Sequence, residues 1–385
     1  MEQDNKCKST LKLWNDIDRN SQNLCFVNAA LQLLHNISEF KTYFDGNKFD
    51  SKIAPVCAEI SRIFQSAGLT VESASKLRKL VGQKTGRHEI SDGSQQDILE
   101  FHDLLLKVLQ DELEKMVDLN GLRLINKFVG REKIEKKFLN NNNGQCKFQH
   151  VIRNEEEDFK VIKLCIPSTN KALSLNNMIC NNFSEAANKL MMKCSECCSH
   201  KKTCPQTGNC KLMEATSKKC LVSTPQYLYI QLLRFSSHIS LKVETKIFPE
   251  NLLVLPNGDE YKLLSIANHI GTQICNGHYQ AMVKIGSSWM MCDDEKNWKI
   301  SLQNGINDTN YIFVYEKKSP AESFSSVEKN IDIQTKHGSE NYSIDKHGEE
   351  SEINLAKVND NLSDKRNEFF LKKEILNLKS NLMEK

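Results

Sequence analysis

A cysteine at the start of a helical pattern is the first candidate for chemistry in this chain. After Cys25, apolar residues recur at helical spacing as far as Leu34, whereas the residues before Cys25 are polar and lack that period. The spacing predicts that Cys25 lies where a loop becomes a helix. A thiol at a helix N-terminus feels the positive end of the helix dipole, which favours the nucleophilic thiolate. The alternative is a cysteine that only packs in the core, which is the commoner role.

A thiol nucleophile also needs a base and a third group that orients the base. His278 and Asp293 stand in neighbouring segments of strand-like composition, 278–285 and 289–292, which turn residues separate. If the two segments pair as a hairpin, a carboxylate near the end of the second reaches the histidine near the start of the first. His269 is a competing base, and each of these residues alone also has an ordinary structural explanation.

The elements that must position these residues form a helical part followed by a strand-rich part. A clean helical stripe begins at Ile98, directly after Gln95-Gln96-Asp97, which are capping residues unless other motifs give them a role. From Phe128 onward the composition favours strands, with the clearest ones expected at 158–166, 226–235, 261–267, 278–285, 289–292 and 310–315.

A cluster of cysteines in the middle of the chain has the spacing of metal ligands. Cys194 and Cys197 form a CxxC on a lysine-rich segment, and Cys146 and His150 form a C-x3-H that supplies the other half if the fold brings the two together. This spacing indicates a structural zinc site. The alternative is that the ligands have been lost and the cysteines are ordinary thiols.

Composition and charge restrict the class of protein. The 385 residues are 39% hydrophobic and 26% charged, which is typical of a chain that buries a core. A net charge of +3 gives no reason to expect a nucleic-acid or membrane partner. The first residues lack the apolar run of a signal peptide, and no apolar stretch is long enough to cross a membrane. The fourteen cysteines are therefore expected as free thiols or metal ligands in a reducing compartment, the cytoplasm or the nucleus.

The motifs around Cys25 and His278 occur together with others in one order along the chain. They are residues 25–34, Gln95-Gln96-Asp97, residues 232–235, Gly277-His278-Tyr279, Asp293-Asp294 and residues 311–315. In this order, from about residue 14 to residue 315, they resemble the ubiquitin-specific proteases, which are papain-like cysteine deubiquitinases. One such match is weak, whereas the ordered set is highly specific.

The resemblance implies a catalytic role for four residues. Cys25 matches the nucleophile, His278 the general base and Asp293 the residue that orients the histidine. Asn20, five residues before Cys25, matches the side-chain donor to the oxyanion. Leu24 departs from the family pattern, in which a threonine precedes the nucleophile, and the glycines usual ahead of the cysteine are missing as well.

The resemblance also implies a substrate site and a metal site. Asp97 matches an acidic residue that meets an arginine of the ubiquitin tail, and Gln95 and Tyr279 are expected at the same substrate site. Cys194 and Cys197 match one half of a zinc site at the tip of a fingers-like extension. No cofactor is expected for catalysis itself.

The fold implied is α+β, the papain-like fold of ubiquitin-specific proteases, with a helical thumb, a β-rich palm and a fingers-like β extension. The expected organisation is a loose leader over 1–11, a catalytic domain over 12–317, and a disordered charged tail with a short terminal helix over 318–385. Within the catalytic domain, the helical part covers about 12–127, the fingers-like region about 128–225, and the palm strands about 226–317.

The expected function is hydrolysis of isopeptide or peptide bonds at the C-terminal glycine of ubiquitin, with ubiquitin or its conjugates as partners. The departures near Cys25 leave two alternatives open: an isopeptidase for a modifier such as SUMO, and a catalytically weak ubiquitin-binding pseudoenzyme. A transglutaminase-like acyltransferase has the same Cys–His–Asp order, but Gln95-Gln96-Asp97 is not expected there. The tail is considered as a docking segment for an unidentified protein.

Overall fold

A computed structural model of the chain describes most of its first 319 residues. The described residues are 10–15, 23–67, 69, 72–138, 155–167, 169, 171–183, 189–192, 213–235, 242–273 and 276–319. Within these ranges, no helix is both long and apolar enough to span a membrane. The expected tail over 318–385 lies almost entirely outside the described residues.

Helices fill the first third of the chain, as the periodicity predicts. They are α1 (Cys25–His35), α2 (Ser38–Gly46), α3 (Pro55–Gln65), α4 (Ser75–Thr85), α5 (His88–Ser91), α6 (Ile98–Met116) and α7 (Leu119–Asn126), followed later by α8 (Leu175–Asn182) and α9 (Leu302–Gly305). The helix expected at Cys25 begins at that residue. Helix α6 begins directly after Asp97, whose carboxylate accepts hydrogen bonds from the Leu99 and Glu100 N–H groups.

Strands make up most of the remaining described chain. They are β1 (Gly130–Phe138), β2 (Glu155–Phe159), β3 (Val161–Cys165), β4 (Leu173–Ser174), β5 (Lys189–Met192), β6 (Met213–Ser223), β7 (Tyr227–Leu233), β8 (Ile247–Phe248), β9 (Leu252–Val254), β10 (Glu260–Gln273), β11 (Asn276–Ile285), β12 (Ser288–Asp293), β13 (Lys296–Ile300) and β14 (Asn310–Lys317). All six segments expected as strands are confirmed, although the segment 158–166 divides into the end of β2 and the whole of β3.

An eight-stranded sheet forms the centre of the molecule. Its order is β13-β12-β11-β10-β14-β7-β3, with β9 added to β10. All pairings are antiparallel except β3 with β7. In the central strands β7 and β14, nearly every residue is buried, because both faces of the sheet are covered. This explains why their sequences are nearly continuous apolar runs.

Two apolar cores lie on the two faces of this sheet. One face packs Tyr229, Ala281 and Val314 against the helices α1 to α7, and the other packs Ile230, Met282 and Phe313 against α8 and β9. Helix α1 lies between α6 and β11, so all eleven of its residues are buried, including its polar ones. Cys25 is therefore held at the junction of the helical layer and the sheet.

A smaller four-stranded sheet, β2-β1-β6-β5, forms the second β unit, and β4 and β8 pair separately. It falls in the region expected to be fingers-like. Its two central strands β1 and β6 have 9 and 11 residues, and in β1 the pattern Gly-Arg-Glu-Lys-Ile-Glu-Lys-Lys-Phe is mostly polar. Such a sheet buries little apolar surface, which is typical of an extension from the main core.

A short segment before α1, Thr10 to Asn15, connects the helical layer to the end of the sheet, and we call it the strap. Leu11 and Leu13 are 1% and 0% exposed. The Leu11 backbone donates to Gln32 Oε1 and accepts from Gln32 Nε2 of α1, at 3.3 and 2.8 Å. The leader expected over 1–11 therefore differs from the structure at Leu11, which belongs to the folded part.

Candidate active site

The first turn of α1 carries the candidate nucleophile. Cys25 is the first residue of the helix and is 3% exposed. No side chain caps this helix, and Leu24 precedes it with helical backbone angles. The thiol therefore lies at the positive end of the helix dipole, in the position that the sequence predicts.

His278 and Asp293 are brought together by the hairpin of β11 and β12, as expected. The two strands pair antiparallel, with Ala281 opposite Cys292, so the start of β11 meets the end of β12. His278 Nε2 lies 2.5 Å from Asp293 Oδ1. Gln280, two residues after His278 on the same strand, donates from Nε2 to Asp293 Oδ2 at 2.9 Å. Both carboxylate oxygens are thus held.

The histidine is hydrogen-bonded on both sides. Its partners are Asp293 and the Cys25 thiol, and these two contacts raise the pKa of His278 from 6.5 to about 10 against the opposing effect of burial. The pKa of Asp293 is lowered, chiefly by the hydrogen bond with His278. At neutral pH the pair is therefore an imidazolium and a carboxylate.

Asp294, the residue after Asp293, fixes the hairpin to α1 and to the strap. It has a positive φ of 54°. Its Oδ1 accepts from Asn28 Nδ2 of α1 at 2.8 Å, and its Oδ2 accepts from Asn15 Nδ2 at 2.9 Å. Asn15 Oδ1 in turn accepts from the Leu24 N–H at 2.9 Å. Asn15 and Asn28 thus link Asp294, which follows Asp293, to the start of α1, which carries Cys25.

Gln95 holds the backbone next to the histidine. Its Oε1 accepts from the Gly277 N–H at 3.2 Å, and its Nε2 is buried without a hydrogen-bond partner in the structure. A β-carbon on Gly277 would lie 2.5 Å from the Ile270 carbonyl oxygen and 2.7 Å from His269 Nε2. Only glycine fits there, so the Gly277-His278 pair is fixed by close packing as well as by Gln95.

Asp97 is shared between the helix cap and a cleft. Its Oδ1 caps α6, while its Oδ2 accepts from the Tyr311 hydroxyl at 2.7 Å. Tyr279 is 1% exposed, and its hydroxyl lies 3.5 Å from the same oxygen. In this structure Tyr279 therefore supports Asp97 and has no surface to offer a ligand. The capping role that the sequence allows for Asp97 is confirmed.

The cleft beside Asp97 lies between α6 and the strands β3, β7 and β14, and has a volume of about 760 Å³. Its wall on α6 carries the acidic side chains of Glu100 and Asp103 besides Asp97, and its wall on the β3 side carries Lys160 and Lys163. The cleft is open, and apolar side chains such as Leu104 and Val161 lie between its charged ones, Lys107 of α6 included, which suits an extended, charged chain segment.

His269, the competing base, is unsuited to the role. It is fully buried, and neither ring nitrogen has a hydrogen-bond partner in the structure. Burial and the charges of Lys242 and His278 lower its pKa to about 4. Its ring packs edge-on against Tyr279, with the centroids 4.7 Å apart. It acts as a neutral core residue behind the site.

Several predicted residues lie outside the described part of the chain. They are the oxyanion donor Asn20 and the four metal-ligand candidates Cys146, His150, Cys194 and Cys197. Among the described residues, His278, Asp293 and Asp294 are the one group with metal-ligand spacing, their ligand atoms within 4.8 Å of one another. These atoms are already hydrogen-bonded to one another or to asparagines, an arrangement that serves proton transfer.

Sequence comparison decides the family. The model of the ubiquitin carboxyl-terminal hydrolase family matches residues 18–315, which is most of the chain. The chain belongs to the ubiquitin carboxyl-terminal hydrolase family. The predicted resemblance to ubiquitin-specific proteases is thereby confirmed.

Curated relatives of this hydrolase-family chain are distant. It is 25% identical over 344 residues to ubiquitin carboxyl-terminal hydrolase 25 of Arabidopsis thaliana, covering 81% of this chain and 49% of that protein. It is 22% identical over 346 residues to ubiquitin carboxyl-terminal hydrolase 51 of Mus musculus, covering 78% and 50%. The chain thus spans about half the length of these curated relatives.

The fold comparison agrees with the family. A chain in the structure of the SAGA Ubp8/Sgf11/Sus1/Sgf73 DUB module bound to ubiquitin aldehyde matches with a TM-score of 0.60 and 18% identity, over 83% of this chain and 72% of that one. The predicted α+β, papain-like fold of the ubiquitin-specific type is therefore confirmed.

Sequence reasoning missed three residues that hold the site together. Gln280 carries a signal, because it is two residues after His278 and so lies on the same face of the strand. Asn15 and Arg78 carry none, since their partners are distant in sequence and neither belongs to a periodic pattern.

Proposed function

We propose that this protein is a thiol-dependent deubiquitinase that hydrolyses isopeptide or peptide bonds at the C-terminal glycine of ubiquitin. The observation that carries the proposal is the Cys25–His278–Asp293 chain of hydrogen bonds, in a member of the ubiquitin carboxyl-terminal hydrolase family. Because the chain spans about half the length of its curated relatives, the test below measures activity on this chain itself.

In the proposed reaction His278, which Asp293 holds in orientation, carries the proton of the Cys25 thiol, so that the attacking group is the thiolate. The thiolate attacks the glycine carbonyl, and the oxyanion that forms is stabilised by backbone N–H groups at the start of α1 and by Asn20. The C–N bond then breaks, and the amine leaves with the proton from His278. A water molecule that gives its proton to His278 hydrolyses the thioester and frees the thiol.

The cleft beside Asp97 is the proposed path of the ubiquitin tail toward Cys25. Its acidic wall offers carboxylates to a basic side chain of an extended segment. Asp97 is the best placed of them because two tyrosines and the α6 cap hold its carboxylate in one orientation. Gln95 acts from the other side by holding Gly277.

The test uses purified full-length protein and mechanism-based ubiquitin and SUMO probes in parallel. We expect the ubiquitin probe to label Cys25, and Cys25→Ser to lower hydrolysis of a fluorogenic ubiquitin substrate by about a thousandfold or more, because no other group supplies the nucleophile. Cys292→Ser is the matched control. Cys292 is also buried, but burial raises its pKa to about 12, so it is a poor nucleophile.

Three results would contradict the proposal in different ways. Labelling by the SUMO probe and not by the ubiquitin probe would show that the substrate modifier is SUMO. Binding of ubiquitin without labelling of folded protein would identify a pseudoenzyme. Hydrolysis by Cys25→Ser within a few-fold of the parent would remove Cys25 from the mechanism.

A structural zinc site at Cys194 and Cys197, completed by Cys146 and His150, is also part of the proposal. Elemental analysis of the purified protein decides it, because one zinc per chain is expected and well under one would mean that the site has been lost. The free thiol at Cys25 requires a reducing compartment, which we propose is the cytoplasm or the nucleus.

A further inference from the structure

Arg78, on α4, is a buried cation without an ion-pair partner among the described residues. Its side chain is 2% exposed. All three of its nitrogen positions donate to backbone carbonyl oxygens: Nε to Ile90 at 2.5 Å, Nη1 to Asn23 at 3.1 Å, and Nη2 to Ser94. An unpaired buried charge is costly, so its position calls for an explanation.

The three carbonyl groups belong to two separate segments. Asn23 is in the loop that leads into α1, whereas Ile90 is in the short helix α5 and Ser94 is in the loop between α5 and α6. The two loops also meet directly, because Asn23 Nδ2 donates to the Gly93 carbonyl at 3.2 Å. Arg78 thus braces the approach to Cys25 against the approach to Gln95 and Asp97. A planar guanidinium with diverging donors suits this task because it reaches all three carbonyl groups at once.

The same guanidinium contacts residues close to Cys25 in the chain. Asn23 is two residues before Cys25, and the ring of Phe26, one residue after it, lies with its centroid 5.1 Å from Arg78 Cζ. Burial lowers the pKa of Arg78, and the charge of Asp92 and then that of Cys25 oppose this lowering. Asp92, the other charge acting on Arg78, is exposed, and its carboxylate bonds Ser94.

We propose that Arg78 is a positioning residue that holds the loop ahead of Cys25 and supplies a buried positive charge that stabilises the Cys25 thiolate. The proposal rests on the proposed thiol chemistry of Cys25. Carbonyl dipoles reduce the cost of burying the guanidinium but do not cancel its charge, so the field that remains reaches the start of α1, where Cys25 lies. Arg78 reaches the reaction only through Cys25 and its loop.

The experiment measures how fast iodoacetamide alkylates Cys25 at pH 7, by mass spectrometry of the peptide that contains it, in full-length protein. The variants are Arg78→Gln, which removes the charge, and Arg78→Lys, which keeps it. Arg234→Gln is the matched control. Arg234 is also fully buried and donates to three carbonyls, at Asn310, Val243 and Thr245, but contacts neither loop. Circular dichroism checks that each variant is folded.

We expect Arg78→Gln to slow alkylation of Cys25 by on the order of tenfold, the effect of one neighbouring charge on an ionisation equilibrium. We expect Arg78→Lys to remain within about threefold of the parent, and Arg234→Gln to match the parent. In the ubiquitin hydrolysis assay, Arg78→Gln should lower kcat with little change in KM, since Arg78 touches no substrate.

Unchanged alkylation in folded Arg78→Gln would overturn the proposal, as would an equal loss in Arg78→Lys or in Arg234→Gln. If Arg78→Gln does not fold, Arg78→Lys decides alone, because a tenfold loss in that folded variant contradicts a role for the charge. Alkylation needs no ubiquitin. A parent protein that hydrolyses no ubiquitin therefore contradicts the proposed function and leaves this comparison intact.

Discussion

The protonation of His278 links the geometry of single residues to the pH dependence of the site. Its pKa is raised to about 10, with the Asp293 hydrogen bond as the largest cause. This pKa lies above 6.5, the ordinary value that applies to the unfolded chain. The hydrogen bond of protonated His278 with Asp293 therefore contributes fully to stability below about pH 6.5. That contribution is lost as the pH rises through about 10, where the histidine loses its proton.

Replacing Asp293 by Asn should therefore move the alkaline limb of activity to lower pH. The neutral amide removes the main cause of the raised pKa, so His278 loses its proton earlier and the thiolate–imidazolium pair disappears earlier. The measurement is kcat/KM for ubiquitin substrate between pH 6 and pH 10.5. The melting temperature of Asp293→Asn should be lower than that of the parent. The difference should be largest near pH 6 and should disappear toward pH 10.

Asp294→Asn is the matched control for this change. Asp294 bonds Asn28 and Asn15, not His278, and burial raises its own pKa. Its replacement should move the alkaline limb less than Asp293→Asn does. A larger effect of Asp294→Asn would assign the orienting role to Asp294. The match of Asp293 to the family's orienting residue would then be wrong by one position.

At the scale of elements, the strap sets how α1 lies relative to the β11–β12 hairpin. Asn15 connects the Leu24 N–H, just before Cys25, with Asp294, just after Asp293. Asn15→Ala should lower kcat by between about threefold and thirtyfold with a small change in KM, because small misplacements of reacting groups are costly. Steady-state kinetics on a ubiquitin substrate measures the two constants.

Asn297→Ala controls for simple loss of strap docking. Asn297 Nδ2 donates to the Leu11 carbonyl at 3.0 Å, so it anchors the same strap without touching Leu24 or Asp294. We expect its kcat to stay near that of the parent. Equal losses in the two variants would mean that Asn15 only fastens the strap.

Helix α6 stabilises the helical layer through one buried carboxylate. Glu112 is fully buried and accepts from the Val56 and Cys57 N–H groups, both at 3.0 Å, at the otherwise uncapped start of α3. Glu112→Ala leaves two buried donors without partners, so the free energy of unfolding should fall by about 2 to 4 kcal/mol. Denaturant unfolding measures it. Glu114→Ala, at an exposed site on the same helix, should change it by less than about 0.5 kcal/mol.

At the scale of the whole molecule, the described fold closes with β14, which lies between β10 and β7 in the centre of the sheet. The Lys318 backbone still donates to the Glu260 carbonyl, at 2.8 Å. The proposed triad and the cleft lie before this point. The family match likewise ends at residue 315.

A chain that ends at Ser319 should therefore keep its intrinsic activity. We expect kcat/KM on a small fluorogenic ubiquitin substrate within about twofold of the full-length protein, since every group in the proposed mechanism is retained. A chain ending at Asn310 is the contrasting variant, because it lacks β14 and should not fold. A tenfold or greater loss in the Ser319 variant would show that the removed segment acts on the catalytic domain.

The sequence by itself determined the features that have a local period. Cys25 at the start of a helix follows from apolar spacing within α1, and the His278–Asp293 contact follows from two alternating strands joined by a short turn. The ordered motifs then determined the family. In each case the decisive residues lie within one element or in two neighbouring ones.

Only the tertiary structure decided what fixes these elements to one another. Asn15 meets Asp294 across 279 positions and Arg78 meets Asn23 across 55, while Tyr311 reaches Asp97 across 214. A hydrogen bond between such distant residues depends on how helices and sheet pack, and it leaves no periodic trace in the chain. The same packing made His269 a buried, neutral core residue and placed His278 between Asp293 and Cys25, although both histidines stand in plausible motifs.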